Sequence, residues 1–133
     1  MSLLQILFRE ESEFACDEAK QRAALAAILD DPALGRLYVA RDGERVLAMA
    51  SLLFTCSTAE GGRAAWFEDL IVLPAHRRRG IGSALLALVI QEARCEGVLR
   101  ISLLTDSKNE HAQALYRKLG FTPSTMQPMR LRL

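Results

Sequence analysis

At 133 residues the chain is long enough to bury one ordinary core without disulfides or metals, and residues 1–133 read as a single domain. Half its residues are hydrophobic and a quarter charged, an ordinary soluble composition; the formal net charge of +1 excludes a general nucleic-acid binder, because the only basic run is Arg77-Arg78-Arg79. No stretch approaches the roughly 18 apolar residues of a membrane span. Leu3–Phe8 lacks the length and flanks of a secretion signal. Three widely spaced cysteines (Cys16, Cys56, Cys95) with no C-x-x-C pattern read as free thiols, neither bridges nor zinc ligands, so a cytoplasmic setting and no metal are expected.

Leu3-Leu4-Gln5-Ile6-Leu7-Phe8 reads as a first strand. Ser12 is the expected cap of a helix that carries Glu13, Asp17 and Glu18 early, where the helix dipole favours acids, and that Asp30-Asp31-Pro32 ends. A second strand, Leu37–Ala40, closes in the turn Arg41-Asp42-Gly43-Glu44, since Asp-Gly between apolar runs marks a hairpin. The third strand, Val46–Thr55, is long and apolar, and Glu60-Gly61-Gly62-Arg63 turns it into a fourth from Trp66 to Leu73, which Pro74 stops. After the loop 76–82, a helix is predicted from the spacing of Leu85, Leu86, Val89, Ile90 and Ala93, with Glu96-Gly97 as its end. Val98–Leu104 is a fifth strand, parallel to the fourth through a right-handed crossover. A last helix, Glu110–Leu119, stops at Gly120, and the alternation of Met129, Leu131 and Leu133 predicts a half-exposed final strand whose edge could pair a homodimer. The order β-α-β-β-β-α-β-α-β implies an α/β (α+β) fold: a mixed, mostly antiparallel sheet with a parallel central pair and helices on both faces.

The chemistry concentrates between Trp66 and Ala93. Strand, glycine loop and helix together make an anion cradle, because the first helical turn carries four unpaired N–H groups and roughly half a positive charge. Glycines at 80 and 82 remove side chains that would keep an anion away. A dinucleotide G-x-G-x-x-G/A pattern is not met, since Leu85 fills its third position, and a Walker loop lacks its lysine and Ser/Thr. A shorter cradle, [QR]-x-x-G-x-[GA], is filled by Arg77, Gly80 and Gly82; alone it is also a tight turn with a solvated basic face.

A second motif stands one β-α unit later, N-x-x-A-x-x-L-Y-x-x-x-G-F from Asn109 to Phe121. With E-D-L-I-V-L-P-A-H-R-R-R-G-I-G-S-A-L-L before it, the sequence resembles the GNAT superfamily of N-acetyltransferases, over Trp66 to Phe121. The resemblance implies acetyl-coenzyme A as co-substrate and direct acetyl transfer to a primary amine of a small molecule, peptide or protein. Leu70, Ile71 and Val72 would hydrogen-bond the pantetheine arm and the acetyl carbonyl, one N–H serving the oxyanion. The backbone from Arg77 through Arg78, Arg79, Gly80, Ile81 and Gly82 to Ser83 would hold the pyrophosphate, and Asn109 would touch the pantetheine region. Tyr116 matches the tyrosine that protonates the departing sulfur.

Glu68 is the expected base, with Asp69 the alternative. Strict alternation places Glu68 on the face of Leu70 and Val72, and Asp69 on that of Ile71. The acceptor side stays open, because only one helix is expected between the first two strands. An alternative of another class is a coenzyme A-binding regulatory or interaction module without turnover.

Overall fold

A computed structural model describes residues 3–10 and 17–133. The elements run α1 (Leu3–Glu10), α2 (Glu18–Asp30), β1 (Gly35–Asp42), β2 (Arg45–Ser57), β3 (Gly62–Val72), a 3-10 turn (Pro74–His76), α3 (Ile81–Cys95), β4 (Ile101–Leu103) and α4 (Glu110–Lys118). One four-stranded sheet has the order β1-β2-β3-β4, antiparallel except for the parallel pair β3–β4. The mixed sheet, the parallel crossover and the helices on two faces are as expected from the sequence. Among the described residues no helix is long and apolar enough to cross a membrane.

Three local expectations are corrected. Residues 3–8 belong to a helix, not a strand. A short apolar run fits either element, and here Leu3 and Leu4 land on one side, against Met49 and Ile71 of the sheet. The Ser12 cap lies outside the described residues. The helix is capped by Asp17, whose Oδ1 accepts from the N–H groups of Ala19 and Lys20 at 3.1 and 3.2 Å. The tail forms no strand: Met129 and Leu131 are 95% and 84% exposed. Pro123 and Pro128 remove ladder donors there, and β4 offers a three-residue edge, so the parallel pair sits at the sheet margin.

The two faces carry separate apolar clusters. Leu85, Leu86, Val89 and Ala93 of α3 cover Ala48, Ala50, Leu52, Ala65 and Phe67, with Leu70, Val72 and Tyr116 at the margin. Leu3 and Leu4 of α1 cover Met49 and Ile71 on the other face, with Leu25 of α2 beside them. The far end of α3 is fastened by Glu96, which receives Arg36 Nη2 at 3.1 Å and Arg63 Nη1 at 3.7 Å while both guanidiniums stack on the Phe54 ring. This fastening helps fix the direction in which α3 aims its other end. Leu86 is fully buried, so Leu86→Ala should lower unfolding stability by about 2–5 kcal/mol; urea denaturation followed by circular dichroism reads it, and a loss under about 1 kcal/mol would contradict this packing.

Candidate functional site

β3 and β4 are paired only over Ala65–Ile101, Trp66–Ser102 and Phe67–Leu103. Beyond Phe67 no partner strand among the described residues flanks β3 on that side, and a cleft of about 1130 Å³ opens there between β3, the loop 74–80, the start of α3 and α4. Backbone groups alternate along a strand. The Leu73 N–H donates to Leu47 O in the β2 segment at 2.8 Å, so Leu70 and Val72 turn their N–H groups toward the cleft and Ile71 turns its own toward β2. Ile71 is buried by α1, and it lines the cleft together with Leu70 and Val72.

The loop enters the cleft through two left-handed residues, Arg78 (φ 62°) and Gly80 (φ 77°). That backbone curl turns successive N–H groups to one side, a shape suited to an anion. Gly80 occupies the cap position of α3 without a side-chain bond, and the helical ladder begins with Ala84 N–H donating to Gly80 O at 2.9 Å. The N–H groups of Ile81, Gly82 and Ser83 therefore fall in the first turn, outside that ladder, and all three residues line the cleft. A side chain on Gly82 would start 3.4 Å from Val72 Cγ2 and 4.0 Å from Leu115 Cδ2, so its absence opens the floor of the cleft without leaving a hole in the core.

Arg77 serves the loop itself. Its Nε donates to Val72 O at 3.0 Å and its Nη2 to Glu10 Oε1 at 2.8 Å, which ties the end of α1 to the end of β3. Arg78 lines the cleft and Arg79 does not. Asn109 caps α4, its Oδ1 accepting from Ala112 N–H at 3.1 Å, and its place at the rim follows from that role. Tyr116 also lines the cleft, half-buried, with its ring edge-on to Phe121 at 5.9 Å. His76 and His111 both line it too, whereas Trp66 is 39% exposed and lies elsewhere.

The carboxylates depart from strict alternation. Ser51 of β2 faces Glu68 and Met49 faces Ile71, so one residue of β2 spans two of β3: a bulge at Asp69-Leu70. Opposed residues share a face, and Ser51 and Met49 lie two apart, so Glu68 shares the face of Ile71, toward α1, and not that of Leu70 and Val72. Asp69 takes φ 58°, which an aspartate tolerates better than most side chains. The single Ser51 hydroxyl proton is shared between Asp69 Oδ2 at 3.0 Å and Glu68 O at 3.2 Å. Burial raises the Asp69 carboxyl above its ordinary range, and the Ser51 bond opposes that rise. Glu68 is raised as well, by partial desolvation and then by the Asp69 charge beside it.

Ser51 was not among the residues singled out from the sequence. Its sole signal there is a hydroxyl in the middle of the apolar run Val46–Phe54. Glu10 likewise reaches the cleft only because α1 is helical and ends there.

Comparison with known proteins places this geometry. The model of the acetyltransferase (GNAT) family matches residues 1–121. Glucosamine 6-phosphate N-acetyltransferase of Trypanosoma brucei brucei is 34% identical over 90 residues, 67% of this chain and 58% of that protein. Aminoalkylphosphonate N-acetyltransferase of Salmonella typhimurium is 34% identical over 103 residues, 77% of this chain and 66% of that one. The chain thus spans just under two thirds, or less, of the length of these curated relatives. Among solved structures, the GCN5-related N-acetyltransferase from Ralstonia eutropha JMP134 superposes with a TM-score of 0.80 at 25% identity, over 96% of this chain and 86% of that one.

Proposed function

The chain belongs to the acetyltransferase (GNAT) family, and we propose that it moves an acetyl group from acetyl-coenzyme A directly to a primary amine, as one domain over residues 1–133. The observation that carries this reading is the uncapped start of α3 opening into the gap where β3 and β4 part. A diphosphate joined by a long arm to a thioester fits those two features in that order.

The N–H groups of Ile81, Gly82 and Ser83 would hold the diphosphate, with the Arg78 charge beside them. Arg77 holds the loop to α1 and β3 and so keeps these donors in place. The N–H groups of Leu70 and Val72 would orient the arm and stabilise negative charge on the acetyl oxygen. Asn109 sets the rim at α4. An alkyl ammonium of pKa near 10 must lose a proton before it attacks. The Glu68–Asp69 pair would receive that proton, since burial makes both carboxylates better proton acceptors than free ones. Tyr116 would give a proton to the departing sulfur.

The names of the two curated relatives both specify N-acetyl transfer, which supports nitrogen as the acceptor atom. The test is release of free coenzyme A from acetyl-coenzyme A, measured with a thiol reagent across a panel of small amines, amino sugars and peptide N-termini. At least one acceptor should raise release well above the hydrolytic background. Background rates with the whole panel, from folded protein that binds the co-substrate, would refute transfer to amines.

A further inference from the structure

β2 carries a hydroxyl where every neighbour is apolar. Ser51 stands among Met49, Ala50 and Leu52 and is 1% exposed. A buried hydroxyl without a partner is costly, so what it bonds to is informative. Its two partners, Asp69 Oδ2 and Glu68 O, are the side chain and the backbone at the bulge where β3 leaves β4. The other Asp69 oxygen has no hydrogen bond among the described residues, and Asp69 lines the cleft. Glu68 lines the cleft as well, but it is exposed, and its side chain makes no hydrogen bond among the described residues.

We infer that Ser51 is a positioning residue for the reaction: its hydroxyl fixes the left-handed bulge and orients Asp69, and Asp69 is the carboxylate that takes the acceptor's proton. The inference rests on the acetyl-transfer reading above and narrows its carboxylate pair to one member. The step balances as follows. The ammonium gives one proton to the Asp69 carboxylate, and the freed nitrogen lone pair bonds to the acetyl carbon. The carbon–sulfur bond breaks and its electron pair goes to sulfur, which takes the Tyr116 phenol proton. The nitrogen's surplus proton returns to the phenolate, and the proton on Asp69 leaves to water.

A tethered carboxylate suits this task better than a mobile one, because proton transfer needs a held geometry. Two opposing influences act on it: burial favours the protonated form and the Ser51 bond favours the charged one. The titratable and charged groups that line the cleft with it are Glu68 on its own strand, the Glu10–Arg77 pair where α1 meets the loop, His76 and Arg78 of that loop, Asp106 and Lys108 before α4, and His111, Tyr116 and Lys118 of α4. A raised carboxyl leaves activity present above its pKa and lost as pH falls through it. Removing the Ser51 bond raises that pKa further, so the acid limb must move upward.

Three variants of the full chain test this. Asp69→Asn tolerates the left-handed backbone and keeps an oxygen for Ser51. It should lower kcat/KM about 100-fold or more at neutral pH and leave acetyl-coenzyme A affinity unchanged. Ser51→Ala should move the acid limb of kcat/KM up by about one pH unit, so that activity well below the wild-type midpoint falls about tenfold. Ser51→Thr, which keeps a hydroxyl, should restore the limb. Carbon-13 NMR titration of the Asp69 carboxyl, wild type against Ser51→Ala, reads the same shift without turnover.

Wild-type turnover in Asp69→Asn would overturn the inference. So would an unmoved Asp69 titration in Ser51→Ala, or a moved titration with an unmoved acid limb. Should Ser51→Ala not fold, Asp69→Asn and Ser51→Thr still decide. Failure of the parent reading looks different: the wild type would transfer acetyl to no acceptor, while the NMR titration would still report whether Ser51 holds Asp69.

Discussion

Replacing Tyr116 by phenylalanine should lower kcat roughly 100- to 1,000-fold while acetyl-coenzyme A affinity stays within about twofold. The side chain sits half-buried on α4 at the cleft wall, its ring edge-on to Phe121, and phenylalanine keeps that ring contact. Only the phenol oxygen and its proton are removed. A general acid of this kind acts only in the transition state, so its loss belongs in kcat and not in co-substrate binding. Coenzyme A release under saturating acetyl-coenzyme A gives kcat, and calorimetry gives the affinity. A kcat within threefold of wild type would remove Tyr116 from the chemistry; a matching loss of affinity would make it a binding residue instead.

Gly82→Val should have the opposite signature, a loss of acetyl-coenzyme A affinity of about 100-fold with the fold retained. Two charge-assisted hydrogen bonds to a diphosphate are each worth roughly 1.5–3 kcal/mol, and losing most of that corresponds to about two powers of ten. The Cβ itself meets Val72 and Leu115 at ordinary contact distance, and Gly82 borders the open cleft, which takes the two methyl groups. What changes is access, because the methyl groups stand over the first-turn N–H groups. Calorimetric titration measures the loss, and the thermal midpoint serves as the folding control. Undiminished affinity in Gly82→Val would move the diphosphate away from α3. The two variants together separate the grip on the co-substrate from the chemistry at its thioester.

The parts of this molecule legible in its sequence are those set by local chemistry. Asp42-Gly43 announced the β1–β2 hairpin, and the apolar spacing of α3 announced both the helix and the residues it buries. Gly80 and Gly82, spaced for a helix start after a strand, marked the beginning of α3. The failures have a common physical cause, which is dependence on distant partners. Leu3–Leu7 could form either element alone, and the sheet face waiting at Met49 and Ile71 selects the helix. The tail alternates like a strand but meets an edge only three residues long. The bulge was hidden because its left-handed residue is an aspartate and not a glycine, so nothing broke the apparent alternation of β3. Ser51 was hidden for the same reason, being 18 positions from the carboxylate it holds.

The bulge also limits how this gene can drift. Loss of a single codon at Asp69 or Leu70 would bring β3 back into regular step with β2, with Ile71 still opposite Met49 and Val72 still opposite Ala48. Both apolar faces would survive, but the left-handed residue and the Ser51–Asp69 bond at the cleft would be lost. The extra residue therefore serves the cleft and not the core.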